Sequence, residues 1–390
     1  MKKLLYIIDD INYNSGAKAV TLLQMKQLQQ EYDIYLLSLA RPKESLDFLG
    51  DAHVLEPYIW GITEIYAASF KQALQSKNYS VLQKISRILY AISLRCGFGD
   101  AYFEWQIKKK LKPLMEQFDT VIVVSEASKL RRLVSELSHP KKIQWIHTDY
   151  ARWSQFSEWS RAVTKKDSFI YSKFDYIVVL SEHCRKGMAE KFPELANKIV
   201  VIPNLIDGDR VIKLAAEICP VMINPENLNL VTVARIDREK RIDKVLELAS
   251  QLKKRNISFM WYIIGDGPQR IEMEKRSREL DVENQVQFLG HLNNPYPVMS
   301  KCDTLVLVSK YEGTIQLTAK AEAMVLGIGV IAPRVGGIAE QISRYENSEL
   351  YSPLNLPELE LLQKTNKTQF GMEYKTHNLE SLEKIEKLIK

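Results

Sequence analysis

Two open, doubly wound parallel α/β sheets, one in each half of the chain, are the fold class this sequence predicts, on three observations. Apolar runs of four to six residues recur along its length, of the kind that fill strands buried on both faces. Longer segments with helical apolar spacing separate most of them, and strands alternating with helices argue for a parallel sheet. At 390 residues the chain exceeds one ordinary core, and the alternation breaks over residues 205–229 before it restarts.

The first run, Leu4 to Ile8, is followed by a polar loop, Gly16, and a helical segment from Ala17 to Gln30 with apolar spacing at Val20, Leu22, Leu23 and Leu28. A glycine where a strand hands over to a helix lets backbone N–H groups approach an anion, although a plain strand-to-helix turn explains it equally well. Ile34 to Leu39 is the next strand. Residues 58–115 read as helices without a clear strand. They hold nine Lys/Arg against three Asp/Glu, and nine minus three equals the +6 net charge of the whole protein. Aromatic residues are interleaved, Trp60 and Trp105 among them. Such a segment is either a helical insertion with a solvated basic face or a surface that meets an anionic membrane. Nucleic acid fits less well, because the total charge is small and no recognition motif is present.

Strands resume at Thr120–Val124, Ile143–His147, Tyr176–Leu180 and Ile199–Ile202. His147 stands at a strand end, where ligands of α/β sheets bind, although a lone histidine is more often structural. The second half restarts at Leu230–Ala234, followed by the charged loop Arg235–Arg241 and a helix. Phe259–Ile264 leads into Gly265-Asp266-Gly267-Pro268, and Val286–Leu289, Thr304–Val308 and Val330–Ala332 continue the alternation. After Val308 come Glu312-Gly313, a helix from Thr318 that carries Glu322, and Gly327 as its stop. The expected domains are 1–205, with the basic insertion 58–115, then 206–370, then a helix at 371–390 that packs back on the first domain.

Four cysteines with no CxxC spacing argue against a zinc site and a disulfide framework, and fit a reducing cytosol. The opening MKKLLYIIDD is too short in its apolar run for a signal peptide, and no window is long and apolar enough to span a membrane. Asp207-Gly208-Asp209 has the form of a DxD that could hold a divalent cation, but a Gly-Asp turn at the domain junction explains it more simply.

Six motifs stand in one order: SGAKAV, WIHTDY, FDYIVVLSEHCRKGM with VIPNLID, VARIDREKRID, IIGDGP, and EG with EAMVLGIGVIAPRVGG. Together they resemble the retaining, nucleotide-sugar-dependent glycosyltransferases labelled glycosyl transferases group 1. The resemblance implies the GT-B fold, in which two Rossmann-like domains face each other across a cleft. It implies transfer of a hexose from a nucleotide-sugar, a UDP-sugar favoured, to a glycan or lipid-linked oligosaccharide in capsule or other surface-polysaccharide assembly. Cytoplasmic work at the inner face of a membrane follows from that acceptor. The other readings are a degenerate binding or activating subunit and a sugar-nucleotide epimerase or phosphorylase of the same fold.

Breaking a sugar–diphosphate bond leaves negative charge on the β-phosphate, and Arg235 and Lys240 can supply two cations at a strand end beside a helix N-terminus. The resemblance gives them that role. It also implies that Glu322 holds the ribose hydroxyls, that Glu312 and Gly313 contact the donor sugar, that Gly16 and Gly265 line the nucleotide-sugar, and that His147 hydrogen-bonds near the reacting carbon. No cofactor and no metal are implied. Three departures stand out: nine residues rather than seven separate Glu312 from Glu322, Lys18 replaces a common acid, and Asn347-Ser348-Glu349 replaces a glycine-containing turn.

Overall fold

A computed structural model describes residues 1–13, 15–43, 49–55, 64, 69–96, 99–309, 318–342, 345–365, 368 and 373–390. The chain forms two compact units. Unit 1 comprises Met1–Val179, Arg185–Ile202 and Lys384–Lys390, and unit 2 comprises Leu180–Cys184 and Pro203–Glu383.

Unit 1 holds seven strands: β1 (Lys3–Ile8), β2 (Asp33–Ser38), β3 (His53–Leu55), β4 (Thr120–Val123), β5 (Lys141–Trp145), β6 (Tyr176–Val179) and β7 (Ile199–Val201). Their order is β3-β2-β1-β4-β5-β6-β7, and every pairing is parallel. From β1 the chain winds outward to β3, then returns to the other side of β1 as β4. The crevice where winding reverses lies at the carboxyl ends of β1 and β4.

Unit 2 repeats the scheme with β8 (Leu228–Val233), β9 (Phe259–Ile264), β10 (Val286–Gly290), β11 (Thr304–Val306), β12 (Gly329–Pro333) and β13 (Ser348–Tyr351). The order is β10-β9-β8-β11-β12-β13, again parallel, so winding reverses between β8 and β11. Side chains alternate between two cores. Leu230 and Trp261 pack on one face with Val245 and Leu248 of the helix Ile242–Lys254, while Val231 and Tyr262 pack on the other with Leu305 and Val330. Burial on both faces is why these strands read as unbroken apolar runs.

Three local expectations change. His53–Leu55 is a strand that the sequence did not announce, because it is short and half-exposed at a sheet edge and so lacks an apolar run. Residues 205–229 are not irregular throughout: Gly208–Ala215 is a helix, and the Asp207 carboxylate accepts the Arg210 N–H at 3.3 Å as its N-cap. Asp209 accepts a hydrogen bond from the Tyr374 hydroxyl at 2.7 Å, so both acids of the DxD carry structural bonds. Asn347-Ser348-Glu349 is no substitute turn, since Ser348 and Glu349 open β13 and pair with Val330 and Ile331 of β12.

The last helix, Tyr374–Ile389, belongs to unit 2 as far as Glu383 and to unit 1 from Lys384. Asn378 exchanges two 2.8 Å bonds with the Ile206 backbone in unit 2. At the other end, Lys141 Nζ donates to Leu388 O at 2.8 Å and Lys2 Nζ to Ile389 O at 3.1 Å in unit 1. Lysines at these last carbonyls satisfy groups that no helical N–H can reach, and they complement the negative end of the helix.

Candidate active site

In unit 2 the loop Ala234–Arg241 leaves β8 at the switch point, and its shape is set from two sides. Asp237 Oδ1 accepts the N–H groups of Glu239 and Lys240, each at 3.1 Å, which folds the loop so that Lys240 directly precedes the helix N-cap Arg241. Arg241, with φ 52°, turns the chain into the helix Ile242–Lys254. The second constraint is the loop after β9. Ala234 N–H bonds Ile264 O at 3.0 Å, Ile236 N–H bonds Asp266 O at 3.0 Å, and Gly265 N–H bonds Gly290 O at 2.8 Å. Gly265 has φ 138°, and a Cβ there would lie 1.9 Å from Ala234 O. Only glycine permits this approach, so Gly265 acts on the basic loop through the backbone.

Arg235 projects outward with its side chain 71% exposed, and the Asp237 Oδ2 carboxylate oxygen is 3.7 Å from its Nε. An exposed pair of that length is worth little, which leaves the guanidinium fork available to an anion.

Glu322 lies on the helix Thr318–Val325, which leads into β12. Its Oε1 accepts the Tyr296 hydroxyl at 2.7 Å. Burial pushes the carboxyl above the usual range, opposed by that hydroxyl and by the nearby charge of Arg210. Glu312 and Gly313, after β11, lie outside the described residues.

Unit 1 collects acids at its own switch point. Asp9 follows β1 and accepts Ser128 Oγ at 2.6 Å and Lys129 N–H at 2.8 Å. Burial raises its pKa, opposed by both bonds. Glu126, just beyond β4, is buried, its pKa is raised by that burial, and it accepts the His147 N–H at 3.3 Å. His147 is 3% exposed, and among the described residues neither ring nitrogen has a hydrogen-bond partner. Burial pulls its pKa down to about 4, so the ring is neutral at physiological pH. Behind it the Arg131–Asp167 ion pair, at 3.0 Å and buried, takes a further bond from the Tyr150 hydroxyl at 2.7 Å. Gly16 opens the helix Gly16–Leu28, with Ser15 Oγ accepting Lys18 N–H at 3.2 Å. Lys18 Nζ donates to Ile11 O at 3.0 Å, so the base that replaces a common acid braces the β1 loop.

A cavity of about 450 Å³ lined by Lys3, Tyr32, Asp33 and His53 lies at the starts of β1 to β3, the wrong edge of the sheet for a ligand of this architecture.

Sequence reasoning missed Asp9, Glu126, Arg210 and Tyr296. The strand-end rule could have found the first two. Nothing in the sequence singles out Arg210 or Tyr296, whose relation to Glu322 is tertiary.

Residues 220–359 match the family model described as "Glycosyl transferases group 1". The matched residues lie within unit 2. One relative, the 2-deoxystreptamine glucosyltransferase of Streptomyces kanamyceticus, is 30% identical over 47% of this chain, and the match spans 49% of the relative's length. An uncharacterized glycosyltransferase of Haemophilus influenzae is 26% identical over 72% of this chain and 75% of its own. Among solved structures, Anabaena HepE in complex with UDP superposes with a TM-score of 0.67 at 15% identity, covering 99% of this chain and 100% of that one. S. aureus TarM, in a complex that contains UDP, gives 0.66 at 14% identity with all of both chains covered. At such identities the likeness is one of fold, the two-domain GT-B architecture.

Proposed function

We propose that the chain is a retaining, metal-independent glycosyltransferase that moves a hexose from a UDP-sugar to a glycan or lipid-linked oligosaccharide in cell-surface polysaccharide assembly. It works in the cytoplasm at the inner face of an anionic membrane. The observation that carries the reading is the loop after β8, a shaped backbone that offers Arg235 and Lys240 at the switch point of the sheet. Two cations carried on a loop whose backbone is held suit the diphosphate that departs when the sugar–phosphate bond breaks. The loop backbone is shaped before the reaction, so only the side chains need to settle as charge develops.

Glu322, anchored by Tyr296, takes the ribose hydroxyls as an acceptor pair. Glu312 and Gly313 contact the sugar. The acceptor oxygen forms its bond to the anomeric carbon on the face the phosphate leaves, and its proton goes to the departing phosphate oxygen. No protein nucleophile takes part. His147, neutral, hydrogen-bonds near the reacting carbon, and Gly16 admits the diphosphate to backbone N–H groups. HepE and TarM, both solved with UDP, favour a uridine donor.

The test is release of UDP from a panel of UDP-, GDP- and dTDP-sugars without an acceptor. Slow release that is lost in Glu322→Ala and in Lys240→Ala supports the reading. Release that both variants retain excludes these residues from the site.

A further inference from the structure

The helix Val81–Arg95 is packed the wrong way round for a helix in water. Six large apolar residues, Val81, Leu82, Ile85, Ile88, Leu89 and Ile92, fall on one face at helical spacing, and that face is exposed, with Leu82 at 79% and Ile92 at 50%. The helix buries Arg87 and Ser93 instead, at 8% and 2%, and the Arg87 guanidinium lies 5.6 Å from the ring centres of both Phe70 and Tyr90. The neighbouring helix, Gly99–Met115, obeys the usual rule: Ile107, Leu111 and Met115 are buried while Lys108, Lys109 and Lys110 face out. The inversion therefore belongs to one helix and not to the whole insertion. That helix is also well formed, because Ser80 and Gln83 close a capping box at its N-terminus.

We infer that the outward face of Val81–Arg95 is a docking surface for an anionic lipid bilayer, with the helix lying in the headgroup plane. A lone exposed leucine needs no explanation, but a stripe of six along about three turns does. Charge identifies the occupant. Lys84 and Arg95 each stand three residues after a stripe residue, and residues 58–115 carry nine bases against three acids. The half-exposed Trp105 has Lys109 Nζ 5.4 Å from its ring centre, a pairing of amphipathic ring and cation that suits the boundary between headgroup and acyl chain. A second protein copy would meet the same bases with bases of its own, whereas anionic headgroups neutralise them. The surface deepens the membrane part of the proposed function but uses no residue of the candidate active site.

The experiment is co-sedimentation of the full chain with phosphatidylglycerol–phosphatidylcholine vesicles and with pure phosphatidylcholine vesicles, for the wild type and for Leu82→Ser/Leu89→Ser. Both substituted side chains are exposed, so the variant is expected to keep its melting temperature and its rate of UDP release. The wild type should bind the anionic vesicles at least about tenfold more tightly than the neutral ones, and the variant should lose about tenfold or more of that affinity. Equal binding to both vesicles, undiminished binding by the variant, or a wild-type dimer that the substitutions dissolve while no vesicle binds would each overturn the proposal. Vesicle binding without UDP release from any nucleotide-sugar would leave the docking surface standing and remove the transferase reading alone.

Discussion

At the carboxyl ends of its two parallel sheets the protein places different chemistry on the same topology. In unit 2 the strand end carries bases held by backbone: Asp237 folds the loop, Gly265 lets the next loop press against it, and Arg235 reaches solvent. In unit 1 the strand ends carry Asp9, Glu126 and a neutral His147, withdrawn from water and tied to their own unit. A diphosphate needs preset positive charge, and an incoming hydroxyl needs acceptors and an uncharged wall. The contrast teaches that one doubly wound frame can present held bases or buried acids according to which side chains follow its central strands.

Removing a cation from the unit 2 loop should have the largest effect. Lys240→Ala is expected to slow UDP release by about a hundredfold to a thousandfold with the melting temperature nearly kept, the scale of a lost charge-stabilising donor. A loss under tenfold would erase the contrast between the units. Gly265→Ala tests the backbone side of the same loop. Its new Cβ meets a carbonyl oxygen, and urea unfolding should show about 3 kcal/mol of destabilisation.

In unit 1 the sharper test is pH. The folded pKa of His147, about 4, lies below the unfolded value of 6.5, so the unfolded chain binds the proton first as pH falls. Stability from a neutral His147 is therefore full above about pH 6.5 and is lost toward pH 4. His147→Gln lacks this titration. Between pH 7 and pH 5 the wild type should lose about 2 kcal/mol relative to the variant in urea unfolding, and parallel curves would mean that the ring is solvated.

The smallest change is Tyr296→Phe. It deletes the hydroxyl that holds Glu322, and should raise KM for the UDP-sugar about tenfold while kcat stays, since nucleotide contacts are shared by ground and transition states. A fall in melting temperature with unchanged KM would make Tyr296 merely structural.

Most of this frame was legible because both sheets are buried on both faces, so runs such as Phe259–Ile264 announce their strands without help from context. The edge strand His53–Leu55 escaped because burial, the source of the signal, is weak there. Arg235, Lys240 and Glu322 were singled out through motif order, and the structure adds why the loop after β8 can hold its shape. What the sequence could not reveal was tertiary. The Tyr296–Glu322 bond joins residues 26 apart through two helices, and the inverted face of Val81–Arg95 is invisible to a periodicity that records amphipathicity but not which side is covered. The doubtful turn at Asn347 became a strand because pairing with β12 outweighs the polar character of Asn-Ser-Glu.

The central claim is that the unit 2 strand ends form a nucleotide site, and titration calorimetry of UDP into the purified chain tests it most directly. Binding at one site per chain, weakened at least about tenfold by Glu322→Ala and by Arg235→Ala, is the predicted result. No detectable binding of UDP, GDP or dTDP to the folded wild-type protein would contradict it.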